Sequence, residues 1–268
     1  VIAILSQDPN KKRIFTQGID GHCLNAYGYY SDQMPDINPD DPESINSIAD
    51  KYPKLRQDSK PNTFALNYMG TALTLHHNNG IPMDQAMKIE EGHKVMYKVL
   101  HEWGQENKLK MANDGYISCA FGLKVRTPML AKSLIDSKIT PSKVKAEFRS
   151  GNNAVTQSHG QMTVNAGNMF RERLEKSKYR HSVLLINFIH DAIYLIIQED
   201  LEVIEWVNKN VIDCMVNSGD SQVHGNKEVP ILANLEIGLS WDKQYELPNN
   251  ANQDEIKKVL KEKVYGVD

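Results

Sequence analysis

Apolar positions recur at helical spacing through most of the first 180 residues, and strand-like runs come mainly afterwards. Residues 1–30 read as helix, broken by a turn at Ser6-Gln7-Asp8-Pro9. Residues 31–50 are rich in Asp, Pro, Ser and Asn and read as a surface insertion or loop. A helix is predicted over 58–79, closed by Asn78-Asn79-Gly80. Pro61 directly follows Lys60, which disfavours α geometry at Lys60, and proline is tolerated in a first helical turn. That helix is therefore expected to begin near Asp58 or Ser59, leaving Arg56 on the entering loop. Pro82-Met83-Asp84 opens another, with an apolar stripe through Ala86, Ile89, His93, Met96, Val99 and Leu100. Asn113 to Pro128 reads as a hairpin punctuated by Gly115 and Gly122. Residues 142–178 read as one or two long helices, and 200–217 as an amphipathic helix. Two β-rich runs, Val183 to Ile189 and Ala192 to Ile197, are joined by His190-Asp191. Val229 to Leu239 is predicted as a last strand, followed by a polar tail after Leu247. Helices first, then strands mixed with helices, predict an α+β architecture.

Composition narrows the class without deciding it. The 268 residues suffice for one large domain or two smaller ones, and 40% hydrophobic with 24% charged residues is globular usage. No run approaches ~18 consecutive apolar residues, so no membrane span is expected. No secretory leader is visible at the start. The chain opens on Val1-Ile2-Ala3-Ile4-Leu5-Ser6, without an initiator methionine or a cap, and this reads as the middle of an element. Cys23, Cys119 and Cys214 are far apart and odd in number, which fits reduced thiols better than zinc or a disulfide framework. Net charge is −3, which is no global nucleic-acid signature. Base is nonetheless concentrated in Lys51 to Lys60, Lys124 to Arg149 and Arg171 to Arg180, as solvated helix faces or as a nucleic-acid groove.

Three constellations carry candidate chemistry. Arg56, Lys60, Phe64 and Tyr68 recur every four residues. On a helix each falls about 40° past the last, giving one slowly winding stripe of two cations and two rings. A cation pair suits a polyphosphate and a ring beyond it suits a nucleobase; the alternative is a solvated helix end followed by core aromatics. Asp191 stands between two apolar strands, where a scaffolded carboxylate could serve phosphoryl transfer with metal ions or merely accept turn N–H groups. Arg149, Asn153 and Gln157 again repeat every four residues. All three can donate to the minor-groove acceptors that correct base pairs share, or they form a polar helix face. Glu90-x2-His93 has the spacing of a di-iron ligand pair but lacks the second copy such bundles need.

Taken together these runs resemble the family A DNA polymerases, the group of bacterial repair polymerases and many phage replicative polymerases. Arg56-x3-Lys60-x3-Phe64-x3-Tyr68 followed by glycine looks like that family's motif B. The resemblance implies that Arg56 and Lys60 grip the incoming triphosphate. Phe64 would lie against its base and sugar, and Tyr68 would border the templating base. The family usually has Tyr-Gly, whereas Met69 here separates Tyr68 from Gly70. His190-Asp191 matches motif C, with Asp191 as the principal metal ligand; Ala192 stands where the family commonly has Glu. Arg149, Asn153 and Gln157, joined by His190, would contact the primer–template minor groove. Asp20-Gly21-His22 resembles Asp-Ile-His, whose His contacts the triphosphate. Gly238-Leu239-Ser240-Trp241-Asp242 resembles the family's closing Trp-Asp segment. The matches run in family order over nearly the whole chain, with extra residues at the acidic loop.

The resemblance implies a right-hand polymerase portion. Residues 1–19 would be a palm-to-fingers helix, 20–128 the fingers with an acidic insertion at 31–50, 129–248 the C-terminal palm, and 249–268 a polar tail. It implies template-directed transfer of a nucleotide from dNTP to a primer 3′-hydroxyl on primer–template DNA, with Asp191 and Lys60 as catalytic groups. It also implies a two-Mg²⁺ site and a cytoplasmic setting in a bacterium or phage-infected cell. The family's other essential acid lies in an Asp-x-Ser-x2-Glu-x-Arg run (motif A), which is not found here. The chain is therefore expected to be the C-terminal part of a split or truncated polymerase, inactive alone. An N-terminal segment would carry motif A, the thumb and any exonuclease. Two rivals stay open: a non-catalytic DNA-binding remnant, and a relative of phage-type RNA polymerases.

Overall fold

A computed structural model describes residues 1–135, 141–224, 226 and 228–266. The chain separates into two compact units, Val1–Ser158 with Asn226–Val229, and His159–Gly225 with Pro230–Asp268.

The first unit is mostly helical. The apolar opening forms α1 (Ile2–Ser6), and Gln7 in a left-handed conformation turns the chain into α2 (Pro9–Thr16). Buried Asp8 caps α2 and also accepts from the Leu100 amide at 3.0 Å, so one side chain closes a helix end and pins a distant segment. Gly21–Tyr30 is α3. Residues 31–50, expected as a loop, instead carry a 3₁₀ turn at Ser31–Gln33 and short helices α4 (Pro42–Asn46) and α5 (Ile48–Lys51). Met34, Ile37, Ile45 and Ile48 from this segment are buried in the unit's main core. Its turn-forming residues are real but sit between apolar anchors too widely spaced to show a period.

The helix after it departs from expectation. α6 runs Pro53–Asn67, so it starts at Pro53, Arg56 is helical, and Pro61 lies inside. An interior proline costs roughly 3 kcal/mol in an exposed helix. Here the buried side of α6 offsets that cost. Ser59, Asn62, Thr63 and Leu66 are buried, and Asn62 Nδ2 donates to the Asp58 carbonyl and to the Tyr30 hydroxyl. Thr63 is bonded to Tyr29, and Ser59 Oγ donates to the Arg56 and His22 carbonyls. The predicted continuous helix also breaks at 68–71 before α7 (Ala72–Asn79), which ends on left-handed Gly80 as anticipated. α8 (Met83–Met96) buries Ala86, Ile89 and His93, and Tyr97 separates it from α9 (Lys98–Asp114). Strands β1 (Tyr116–Ser118) and β2 (Lys124–Arg126) form the expected hairpin, followed by α10 (Pro128–Ser133) and α11 (Pro141–Gln157).

The second unit packs α12 (Gln161–Glu175) and α13 (Leu201–Val216) against an antiparallel ribbon of β3 (Val183–Ile189) and β4 (Ala192–Ile197). Val183, Leu185, Ile193, Leu195 and Ile197 face that core. A bulge between Leu185 and Asn187 changes the alternation, so Phe188 pairs with core-facing Ile193. A Cβ at Gly167 of α12 would come within 2.3 Å of the Phe188 ring, so helix and strand approach this closely only because residue 167 is glycine. After the short helix α14 (Ser221–His224), the expected Val229–Leu239 strand shrinks to β5 (Leu235–Ile237), which pairs with β6 (Tyr245–Leu247). Pro230 lies in the part that is not strand, as its missing N–H requires. The tail holds a further helix, α15 (Gln253–Val259), opened by an Asn252–Glu255 capping box and anchored by buried Ile256. With Ile256 as its one buried residue, α15 carries no apolar period in the sequence.

Phe170 is fully buried in the second core, 5.6 Å from the Trp206 ring centre. Phe170→Ala is expected to remove about 3–5 kcal/mol of stability. Urea unfolding followed by fluorescence and circular dichroism measures it; a loss under about 1 kcal/mol would show that the site collapses around the gap.

Candidate functional site

Within the first unit, α6 displays Arg56, Lys60 and Phe64 along one side, successive residues about 6 Å apart along the axis. Arg56 and Lys60 are half-buried, while Phe64 is 58% and Tyr68 38% exposed. Large rings left this open on a helix whose other side is well buried are available to a ligand rather than to the core. The Lys60 amine makes no hydrogen bond or ion pair among the described residues.

Tyr68 closes α6, and the chain leaves through a Schellman turn. Gly70 N–H donates to the Ala65 carbonyl at 2.8 Å and Met69 N–H to Leu66 at 3.1 Å. Met69 takes the left-handed position, φ 61°, that glycine usually fills. The residue separating Tyr68 from Gly70 is thus accommodated as the turn residue itself, without extending the helix.

His22 joins the cations from α3, which packs along α6. Asp20 caps α3, its Oδ1 accepting from the His22 and Cys23 amides at 2.8 and 3.2 Å. Its Oδ2 accepts from Arg56 Nε at 3.0 Å and Nη2 at 2.6 Å. Partial burial would raise the Asp20 carboxyl, but these hydrogen bonds outweigh it and hold the group below the usual carboxylate range. Burial lowers the His22 imidazole; Asp20 opposes this, and the Lys60 and Arg56 charges add to it. A neutral imidazole therefore sits beside two cations, and its Nδ1 is buried without a hydrogen-bond partner. Such a cluster has donors and positive charge to offer an anion. The sequence does not reveal Asp20 as the partner of Arg56. The only signal was an Asp at a cap position, which ordinarily means a cap and nothing more.

Arg149, Asn153 and Gln157 lie on one side of α11, with Phe148, Gly151, Asn152 and Val155 buried on the other. Asn153 Nδ2 donates to the Tyr68 carbonyl at 3.1 Å, which ties this row to the end of α6. Spacing within one helix cannot show a bond to another.

In the second unit His190 and Asp191 form a two-residue turn between β3 and β4. His190 has φ 54°, the sign that tight hairpins need at a central position and one that non-glycine residues seldom adopt. Both residues are exposed, and the Asp191 carboxylate makes no hydrogen bond or ion pair among the described residues. A free hard oxygen donor on a core-anchored hairpin fits a Mg²⁺ ligand, since that ion commonly takes one or two carboxylates and fills the rest with phosphate and water. Ala192 contributes no second acid, and no group of three or more potential metal ligands occurs among the described residues. Trp241 stacks on Tyr194 of β4, centroids 4.4 Å apart. No helix among the described residues is long and apolar enough to cross a membrane.

Residues 1–243 match the family model "DNA polymerase family A". Among solved structures, the chain is similar to the POL domain of Pol1 from M. smegmatis in complex with DNA primer-template and dNTP. The TM-score is 0.66 at 19% identity, covering 86% of this chain and 35% of that one. The chain thus spans about a third of the length of that polymerase. No curated protein matches the chain.

Proposed function

The chain belongs to DNA polymerase family A, and from that premise we propose that it takes part in template-directed DNA synthesis, carrying the incoming-nucleotide grip and one metal-binding carboxylate. The observation that carries this is the gathering of His22, Arg56 and Lys60 at one place, with the exposed Phe64 ring next along the same helix. We assign residues 20–128 to the fingers, 1–19 to the helices leading into them, 129–248 to the palm and 249–268 to a C-terminal tail. Arg149, Asn153, Gln157 and His190 are assigned to the minor groove of the primer–template.

In this reading the primer 3′-hydroxyl oxygen forms a bond to the α-phosphorus as the bond to the bridging oxygen breaks, and pyrophosphate departs. Lys60 and Arg56 hold the triphosphate and stabilise the negative charge that grows on the leaving oxygens. Neutral His22 can supply a hydrogen bond without adding charge. Phe64 packs on the base and sugar, fixing where the α-phosphate lies. Family A polymerases use Mg²⁺, and Asp191 would hold it here. When bound, the ion supplies Lewis-acid stabilisation of the phosphoryl oxygens and lowers the pKa of the attacking hydroxyl. The motif resemblance implies a further carboxylate from a segment that carries the Asp-x-Ser-x2-Glu-x-Arg run.

Primer extension tests the proposal. The chain combined with such a segment is expected to extend a primed template with deoxynucleotides, whereas efficient extension by the chain alone would remove the need for a partner. Ribonucleotides used as well as deoxyribonucleotides would favour an RNA polymerase relative. Phe64→Tyr is expected to raise dideoxynucleotide incorporation relative to deoxynucleotides, as the motif B resemblance implies. Chain-termination ratios measure it, and an unchanged ratio would remove Phe64 from the sugar's surroundings. Ala192, in place of a common family acid, favours a second reading as a DNA-binding remnant without catalysis; the Asp191 variant discussed below separates the two.

A further inference from the structure

We propose that Asp20 is a positioning residue for the incoming triphosphate: one carboxylate aims Arg56, seats the helix that carries His22, and is itself braced by Asn46. This rests on the reading of His22, Arg56 and Lys60 as the triphosphate grip.

The two Asp20 oxygens do separate work. Oδ1 takes the His22 and Cys23 amides at the start of α3, and Oδ2 takes Arg56 Nε and Nη2 from α6. Side-on pairing uses two of the five guanidinium N–H groups and leaves three for another oxygen ligand. Arginine is long and rich in rotamers, so holding it beforehand removes ordering that binding would otherwise impose. The same carboxylate sets where α3 begins, and hence where His22 stands. Asp20 therefore registers two elements that approach one anion from different sides.

The loop before it is held as well. Asn46 Oδ1 accepts from the Asp20 amide at 2.7 Å, and its Nδ2 donates to the Gly18 carbonyl at 3.0 Å. Asn46 lies in α4, within the acidic segment 31–50. That segment buries Ile45 and Ile48 in the core on either side of Asn46, which fixes it as a brace. Through Asn46 and its flanking isoleucines, the segment thus supports the nucleotide grip instead of decorating the surface.

Equilibrium binding of a dNTP with Mg²⁺ to the 268-residue chain, by calorimetric titration, tests this with Asp20→Asn, Arg56→Ala, their double variant, Asn46→Ala and Lys60→Ala. Asparagine still caps a helix but carries no charge for Arg56. Asp20→Asn is expected to weaken binding about tenfold through lost pre-ordering of Arg56. The double variant is expected to bind no more weakly than Arg56→Ala alone, because residues acting through one another are not additive. Asn46→Ala is expected to weaken binding by a smaller factor in the same direction. The thermal midpoint of Asp20→Asn should barely move, since partly exposed ion pairs contribute little. Unchanged binding in Asp20→Asn, multiplicative losses in the double variant, or an Asp20→Asn chain that no longer folds would each overturn the assignment. Failure of the unaltered chain to bind, or indifference to Lys60→Ala, would instead bring down the triphosphate reading and this inference with it.

Discussion

Primer extension by Asp191→Ala is expected to fall by at least about 10³-fold, with primer–template binding retained. Groups that stabilise transition-state charge are each worth on the order of 10²–10³ in rate, and a metal anchor serves several such contacts at once. The hairpin makes the change clean. Asp191 is exposed, makes no hydrogen bond or ion pair among the described residues, and sits beyond strands anchored by Val183, Leu185, Leu195 and Ile197. Its loss should alter stability by no more than about 0.5 kcal/mol, as for most exposed positions. Ala192, which follows it directly, offers no acid in its place. Single-turnover extension over a range of Mg²⁺, with the completed enzyme, is the measurement. A variant within about tenfold of the parent would leave the DNA-binding remnant as the better account.

Lys60→Ala is expected to lower kcat/KM for the incoming nucleotide by about 10²–10³, with Lys60→Arg recovering part of the loss. The Lys60 amine makes no hydrogen bond or ion pair among the described residues, so its removal leaves no buried group unpaired. Arg56 differs. It is held by Asp20, and removing it also strips a carboxylate of its partner. The two cations should therefore separate experimentally: Lys60→Ala changes nucleotide use alone, whereas Arg56→Ala also disturbs the start of α3. Extension assays varying one dNTP at fixed DNA, paired with thermal unfolding, distinguish them. Equal kinetics for Lys60→Ala and the parent would contradict the grip.

Much of this is legible in the sequence. The β3–β4 hairpin is legible at both ends because dense β-branched and aliphatic runs flank a polar dipeptide, and the resulting ladder joins Val183 to Ile197 and Ile189 to Ala192. The amphipathic pattern over 200–217 locates α13 (Leu201–Val216) to within a residue at each end, and the structure adds Asp200 as its cap. The stripe of Arg56, Lys60 and Phe64 was read from spacing, and it lies on one helix. Boundaries failed where a local rule met a stronger distant one. Proline at 61 argued for a late helix start, but the cost of one missing N–H was outweighed by Ser59, Asn62 and Thr63 packed against α3. The acidic segment looked like loop because its polar residues outnumber the few isoleucines that anchor it.

Side-chain spacing within single elements was enough to nominate the chemistry, because a helix or hairpin fixes neighbours at known intervals whatever surrounds it. Pairing between elements was beyond its reach. That Asp20 grasps Arg56, that Asn46 braces Asp20, and that Asn153 reaches the Tyr68 carbonyl all depend on segments 26 to 85 residues apart meeting in space. Hydrogen bonds act over about 3 Å, and only packing of the apolar faces brings such distant groups within that range.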